Sequence, residues 1–226
     1  MNDFAPAALH LFADLEKNGI AYCHWKGSRN LREGLTGKKD MDLLVDKQKA
    51  KQCQVILLNS GFKRVISQPW ARFTGIEDWI GDDEHTGKLL HIHLYYQLLL
   101  GRRFVKEQWL PWEKIILDSA VRDCTFQVRV INPNLEIVLL AARLAVETSI
   151  VGLITRRFFK RSLAGKLLEQ VTYLAKITDK KEAIEYATTL LGLGEGEKVI
   201  KILYQQSLSG KDIFRLKSII FKKLLL

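Results

Sequence analysis

The sequence predicts an α+β protein, with a mixed β-sheet and flanking helices over residues 1–150 and a basic helical region over residues 151–226. Three observations predict it. Up to about Thr148, short β-like runs alternate with helical stretches and turn signals. From about Thr155 the chain reads as successive amphipathic helices without proline. Charge divides at the same place, with a balance of +2 over residues 1–150 and +8 over residues 151–226.

The elements follow in order. Leu9, Phe12 and Leu15 at helical spacing predict a helix over Phe4 to Lys17, ended by Asn18-Gly19. Ile20 to Trp25 reads as a strand running into Lys26-Gly27-Ser28, and the segment to Gly37 has room for one or two helical turns. Between Asp40 and Val45 the pattern alternates, placing Met41, Leu43 and Val45 on one side and Asp40 and Asp42 on the other. Asp46 suits the N-cap of a helix to Leu58, and Phe62 to Ile66 is a strand. Arg72 to Ile80 and Lys88 to Gln97 form two strands joined by the polar turn from Asp82 to Gly87. Phe126 to Ile131 is a further strand, and Pro133 opens a helix reaching Glu147.

The bulk properties narrow the class. A chain of 226 residues suits one large domain or a domain with a helical appendage. No stretch approaches the ~20 uninterrupted apolar residues of a spanning helix. The amino terminus carries Asp3 and Asp14 with no Lys or Arg before Lys17, unlike a secretory leader. Cys23, Cys53 and Cys124 are odd in number and far apart, which argues against a disulfide framework and fits a reducing, cytoplasmic compartment.

The informative stretch is Gly27-Ser28, eleven intervening residues, then Asp40-Met41-Asp42. Glycine lets a backbone loop approach phosphates closely, and a serine hydroxyl with nearby amides donates hydrogen bonds to them. Lys26 and Arg29 flank that loop and suit an anion. Carboxylates at i and i+2 on a strand project from one face about 7 Å apart, close enough to share or pair cations. The apolar positions between them anchor the strand in the core.

This order of elements resembles the signature of the DNA polymerase β-like nucleotidyltransferase superfamily, over roughly residues 20–100. The resemblance implies a nucleotidyltransferase-like fold over residues 1–150, with Gly27 and Ser28 holding a triphosphate and Asp40 and Asp42 holding Mg²⁺ or Mn²⁺. His24-Trp25-Lys26-Gly27-Ser28, Gln68-Pro69-Trp70-Ala71-Arg72 and Leu110-Pro111-Trp112-Glu113 resemble a bacterial group of nucleotidyltransferases. Members of that group are often joined to a thymidylate-kinase-like domain and associated with surface polysaccharide biosynthesis. No P-loop occurs in this chain, so a kinase-like domain would be a downstream domain or partner. The superfamily usually carries a third acid on a later strand. Here His91 stands at that place, with His93, Tyr95 and Gln97 on the same strand face. A neutral imidazole suits softer metals than Mg²⁺, and its ordinary pKa near 6.5 suits a general base. His91 is therefore expected as base or third ligand.

The functional expectation is transfer of a nucleotidyl group from an NTP to an unknown acceptor. One alternative is a catalytically silent member of the fold that binds a nucleotide or partner. The other is a protein that binds nucleic acid or a membrane surface, motivated by the basic tail. No glycine-aromatic RNA-binding signature accompanies that tail. Lys160, Arg161, Lys166, Lys198, Lys201, Lys211, Arg215, Lys217, Lys222 and Lys223 are expected as a solvated stripe, with Phe214 and Ile220 packed inward.

Overall fold

The strand expected around Asp42 forms near the centre of a mixed sheet, and the reason lies in its neighbours on both sides. The computed structural model describes residues 4–102, 105–148, 163–205 and 208–224. Two compact units divide the chain: Met1–Leu98 with Pro111–Asn132, and Leu99–Leu110 with Pro133–Leu226.

In the first unit, helix α1 (Pro6–Lys17) leads to β1 (Tyr22–His24), a tight turn at Ser28–Asn30 and the short α2 (Leu31–Leu35). Then come β2 (Met41–Val45), α3 (Ala50–Asn59), β3 (Lys63–Val65), β4 (Ile76–Asp83) and β5 (Lys88–Tyr95). After α4 (Glu113–Asp118), the short β8 (Val121–Arg122) and β9 (Arg129–Val130) complete the unit. The seven strands lie in the order β3-β4-β5-β2-β1-β9-β8. β2 pairs parallel with β5 and antiparallel with β1, while β4 and β5 form an antiparallel hairpin. The sheet is therefore mixed, with flanking helices, as the sequence predicts.

The apolar face of β2 is the centre of the core. Met41, Leu43 and Val45 are buried with Leu90, Ile92 and Leu94 of β5, Leu11, Phe12 and Leu15 of α1, and Cys53 and Leu57 of α3. Each such side chain contributes about 1.5–3 kcal/mol on burial.

Several boundaries differ from the sequence reading. Asp46 caps as expected, accepting from the Gln48 N–H at 2.9 Å, but Lys47–Lys49 form a tighter turn before α3 begins. β4 starts four residues later than Arg72, after a turn at Pro69–Ala71, and runs on through Asp82 and Asp83. The hairpin turn shrinks to residues 84–87 because Asp83 points inward instead of into solvent. Of the strand expected over Phe126 to Ile131, only Arg129–Val130 joins the ladder. Asp123 accepts from the N–H groups of Thr125 and Phe126, and Gln127 takes a left-handed φ of 58°, which turns the chain before it can pair.

The second unit contains a two-stranded sheet, β6 (Leu98–Arg102) with β7 (Val105–Leu110), which the sequence reading missed. It continues with α5 (Pro133–Glu147), α6 (Leu163–Ile177), α7 (Lys180–Leu191), α8 (Glu195–Leu203) and α9 (Gly210–Leu224). α5 begins at Pro133 as expected, is buried almost all round and is packed by α6, α7, α8 and α9. Gly196 lets α8 approach α7 backbone to backbone, since a Cβ there would lie 2.5 Å from the Thr188 nitrogen. The expected helical onset near Thr155, with Lys160 and Arg161, lies outside the described residues. No helix among the described residues is long and apolar enough to cross a membrane.

Two expectations for the last helix need correction. Ile220 is fully buried with Ile213 and Leu216, but Phe214 is 60% exposed, on the opposite side of the helix. Lys217 is not in the solvated stripe. It is buried, and its Nζ donates to the carbonyls of Ala145 and Thr148 at the carboxyl end of α5. Carbonyls in the last turn of a helix lack the continuing N–H groups that interior ones have, and a lysine from another element reaches these two. Lys217→Met keeps the length of the side chain and removes both bonds, and should cost about 1–3 kcal/mol in chemical denaturation.

Asp83 does the same work at the start of α1. Ala5 provides no side-chain cap, and the Ala7 N–H donates instead to Asp83 Oδ1 at 2.9 Å, while the Thr86 N–H and hydroxyl donate to Oδ2 at 2.9 and 2.6 Å. Burial opposes ionisation of Asp83, but these three donors and the charge of His85 outweigh it and hold the carboxyl below its ordinary pKa. Because the folded pKa is depressed, this stabilisation is present above about pH 4 and is lost as pH falls through the folded pKa. Asp83→Ala should therefore lower stability by about 1–3 kcal/mol at pH 7. The gap from wild type should narrow steadily on acidification.

Candidate functional site

Residues paired across neighbouring strands share a face of a sheet, and that rule assembles the site. The register pairs Met41 with Ile92 and Asp42 with His93 across β2 and β5, then His93 with Asp78 and His91 with Ile80 across β4 and β5. Asp42, Asp78, His91 and His93 therefore lie on one face, opposite the core, together with Asp40 one residue before β2.

The four side chains nearest one another form a closed ring of contacts. His91 Nδ1 lies 3.0 Å from Asp40 Oδ1, and His93 Nε2 lies 3.2 Å from Asp40 Oδ2. The other nitrogen of each ring faces Asp78: His93 Nδ1 is 2.6 Å and His91 Nε2 is 3.5 Å from Asp78 Oδ1. The two rings stand 4.3 Å apart between centroids. Ser67 donates to Asp78 Oδ2 at 2.6 Å. Hydrogen bonding with His91, then His93 and Ser67, holds Asp78 well below the usual carboxylate range despite partial burial. The bond with Asp78 and the charge of Asp40 raise His91 above its ordinary value, against the opposing effect of burial.

Asp78 was not among the residues the sequence singled out. Its signal was present in the hairpin: counting back through the register from the turn at residues 84–87 sets Asp78 opposite His93. Starting the strand at Arg72 and ending it at Ile80 hid that register. Asp78, on the adjacent strand, brings a second carboxylate to the two imidazoles.

Asp42 has different neighbours from Asp40. Among the described residues, one donor atom from each of Asp40, His91 and His93 falls within 4.8 Å of the others, and Asp42 is not in that group. Burial pushes the Asp42 pKa up, but the charges of Lys26, His93 and His24 and a hydrogen bond from Tyr95 bring it below the ordinary value. Tyr95 also stacks edge-on against Trp25, 5.0 Å between centroids, forming an aromatic floor beside Asp42. His24 is buried, and burial lowers its pKa against the opposing effects of the Asp42 charge and of hydrogen bonding to the backbone of Asp42 and Gly27.

The Gly27-Ser28 turn leaves the sheet beside these groups. The Trp25 N–H donates to the Asp42 carbonyl at 3.2 Å, extending the β1–β2 pairing to the foot of the loop. Gly27 then takes a left-handed φ of 78°, and the chain coils through Ser28–Asn30. Asn30 accepts from Lys39 Nζ at 2.9 Å, which ties the loop to the residue before Asp40. Lys26 and Ser28 are half-buried and Arg29 is exposed. Arg32 is placed over the Phe4 ring, 5.3 Å from its centroid. Trp79 and Trp112 are core residues, whereas Trp70 is 70% exposed.

Asp40, His91 and His93 can hold a metal ion. Two imidazoles with one carboxylate do not suit Mg²⁺, which prefers an all-oxygen shell.

No family model matches this chain, and no curated protein matches it. Among solved structures it is similar to "Crystal structure of putative nucleotidyltransferase from H. pylori", at 12% identity and a TM-score of 0.36, covering 96% of this chain and 94% of that one. A TM-score of 0.36 carries no functional weight.

The geometry fixes a tautomer. A 2.6 Å contact with an ionised Asp78 requires the proton on His93 Nδ1. Long-range ¹H–¹⁵N spectra of the metal-stripped protein should show His93 protonated at Nδ1 at neutral pH, and Asp78→Ala should release that preference.

Proposed function

We propose that the chain is a nucleotidyltransferase that moves a nucleotidyl group from an NTP to an acceptor hydroxyl or phosphate. The observation that carries this reading is the left-handed Gly27 turn leaving β1 beside Asp40 and Asp42 on the paired strand. A phosphate loop without side-chain bulk and a cluster of carboxylates and imidazoles thus meet at one end of the sheet. Gly27 and Ser28 bind the β- and γ-phosphates through backbone amides and the hydroxyl, and Lys26 and Arg29 add positive charge. The acceptor oxygen forms a bond to the α-phosphorus as the bond to the bridging oxygen breaks, and pyrophosphate leaves. The proton of a hydroxyl acceptor passes to water at the open side of the site, beside the exposed Asp40. Asp42, held ionised among Lys26, His93 and Tyr95, positions groups at the reacting centre.

The motif resemblance makes sugar phosphates of surface polysaccharide synthesis the first acceptors to try, in the cytoplasm where NTPs are available. A downstream kinase-like domain or partner would act on the same pathway. A silent, nucleotide-binding member of the fold would bind NTP without turnover, so binding and turnover are measured separately.

Thermal unfolding with each NTP and Mn²⁺ or Mg²⁺ tests the reading. Binding to the folded state alone adds about 2.7 kcal/mol at a hundredfold excess over Kd. At least one NTP should raise Tm, and Ser28→Ala should diminish the rise. Gly27→Ala should remove it and also lower the unliganded Tm, since an alanine at that φ costs about 1–2 kcal/mol. If none of the four NTPs shifts the wild type with either ion, the reading fails.

A further inference from the structure

We infer that this site holds a borderline transition-metal ion of the Zn²⁺ or Co²⁺ class, ligated by Asp40, His91 Nδ1 and His93 Nε2, with Asp78 orienting both rings. The inference deepens the reading above by naming the ion of the same site, and it stands on the side chains alone.

Each imidazole spans two carboxylates. One nitrogen of each ring faces Asp78 Oδ1, at 2.6 and 3.5 Å, and the other faces an oxygen of Asp40, at 3.2 and 3.0 Å. A neutral imidazole has one N–H. Spent on Asp78, it leaves the lone pairs of His91 Nδ1 and His93 Nε2 aimed at the two oxygens of Asp40. A divalent ion that displaces the protons between Asp40 and the rings would be met by one donor atom from each of the three residues. A metal-binding histidine commonly donates its second nitrogen to a carboxylate, which fixes the tautomer and raises the basicity of the ligating nitrogen. Asp78 is placed to do this for His93 and, at longer range, for His91.

The spacing is close. Ligands about 2.0–2.2 Å from a tetrahedral ion lie about 3.3–3.6 Å from each other. Asp40 lies 3.0 and 3.2 Å from the two rings, and one donor atom of each residue lies within 4.8 Å of the others, so small side-chain rotations bring the three to one ion. Charge agrees as well, since two carboxylates with neutral rings carry −2 and a divalent ion cancels it. Nitrogen ligands then decide the class: imidazole suits Zn²⁺, Co²⁺ and Fe²⁺, whereas Mg²⁺ prefers oxygen. Asp42 is outside the ligand set, occupied with Lys26 and Tyr95. Asp40 is 53% exposed at its side chain, so the ion has a route in from solvent and open positions for other ligands.

The test is titration of metal-stripped, full-length protein with Co²⁺ alone, read by its visible d–d absorption, with Zn²⁺ and Mg²⁺ as competitors. Zn²⁺ should displace Co²⁺, and millimolar-excess Mg²⁺ should not. Asp40→Asn and His93→Gln should abolish the spectrum, Asp78→Asn should weaken affinity about 10–100-fold, and Asp42→Asn should leave it in place. X-ray absorption of the wild-type Zn²⁺ complex should show two imidazoles, and it needs no variant to fold. The absence of a Co²⁺ spectrum, displacement by Mg²⁺, an all-oxygen shell, or equal losses in Asp42→Asn and Asp40→Asn would each overturn the inference. No nucleotide enters this experiment. Metal binding without any NTP shift therefore removes the transferase reading alone, and an NTP shift without Co²⁺ binding removes the metal inference alone.

Discussion

The register between β2 and β5 is the constraint on which the rest of the first unit depends. It sets Met41 against Ile92 and Asp42 against His93, so the alternation of both strands falls in phase. A slip of one residue would turn Asp42 into the core and Leu43 out of it. The same pairing that buries the apolar residues therefore gathers the carboxylates and imidazoles on the opposite face. Stability and chemistry are two consequences of one hydrogen-bonding pattern, and the charged cluster rests on a backbone that the core holds rigid.

That face is not uniformly comfortable. Nε1 of Trp25 is buried without a protein partner where β1 runs into the glycine loop. A buried polar group left unsatisfied costs about 1–3 kcal/mol. Elsewhere the protein satisfies difficult backbone groups from a distance, with Asp83 at the start of α1 and Lys217 at the end of α5.

Much of the first unit was legible because period-two alternation survives wherever one face is buried. Met41, Leu43 and Val45 identified β2, and in the second unit Pro133 identified the start of α5 by a different signal, its fit to the first turn of a helix. The ends were less legible. Asp83 looks like a solvated turn residue until its partner on α1 is known, and that partner is 76 residues away. Lys217 looks like part of a basic stripe for the same reason. Asp78 escaped because a two-residue error in a hairpin boundary conceals which residues face each other. The different neighbours of Asp40 and Asp42 were equally hidden, since strand spacing shows that two carboxylates share a face and not what each one touches.

The turn at residues 84–87 has an evolutionary consequence. Exposed hairpin tips ordinarily tolerate insertions and deletions freely. Here the length of the tip determines which residue of β4 stands beside His93, and Asp83 anchors it from within through Thr86. A change of one residue that the tip did not absorb as a longer loop would shift the pairing and carry Asp78 to the far side of the sheet, although the change lies five pairs along the ladder from the chemistry. Length variation among descendants of this chain should thus be suppressed at a surface loop that touches no ligand, while its exposed Glu84 and His85 drift in identity.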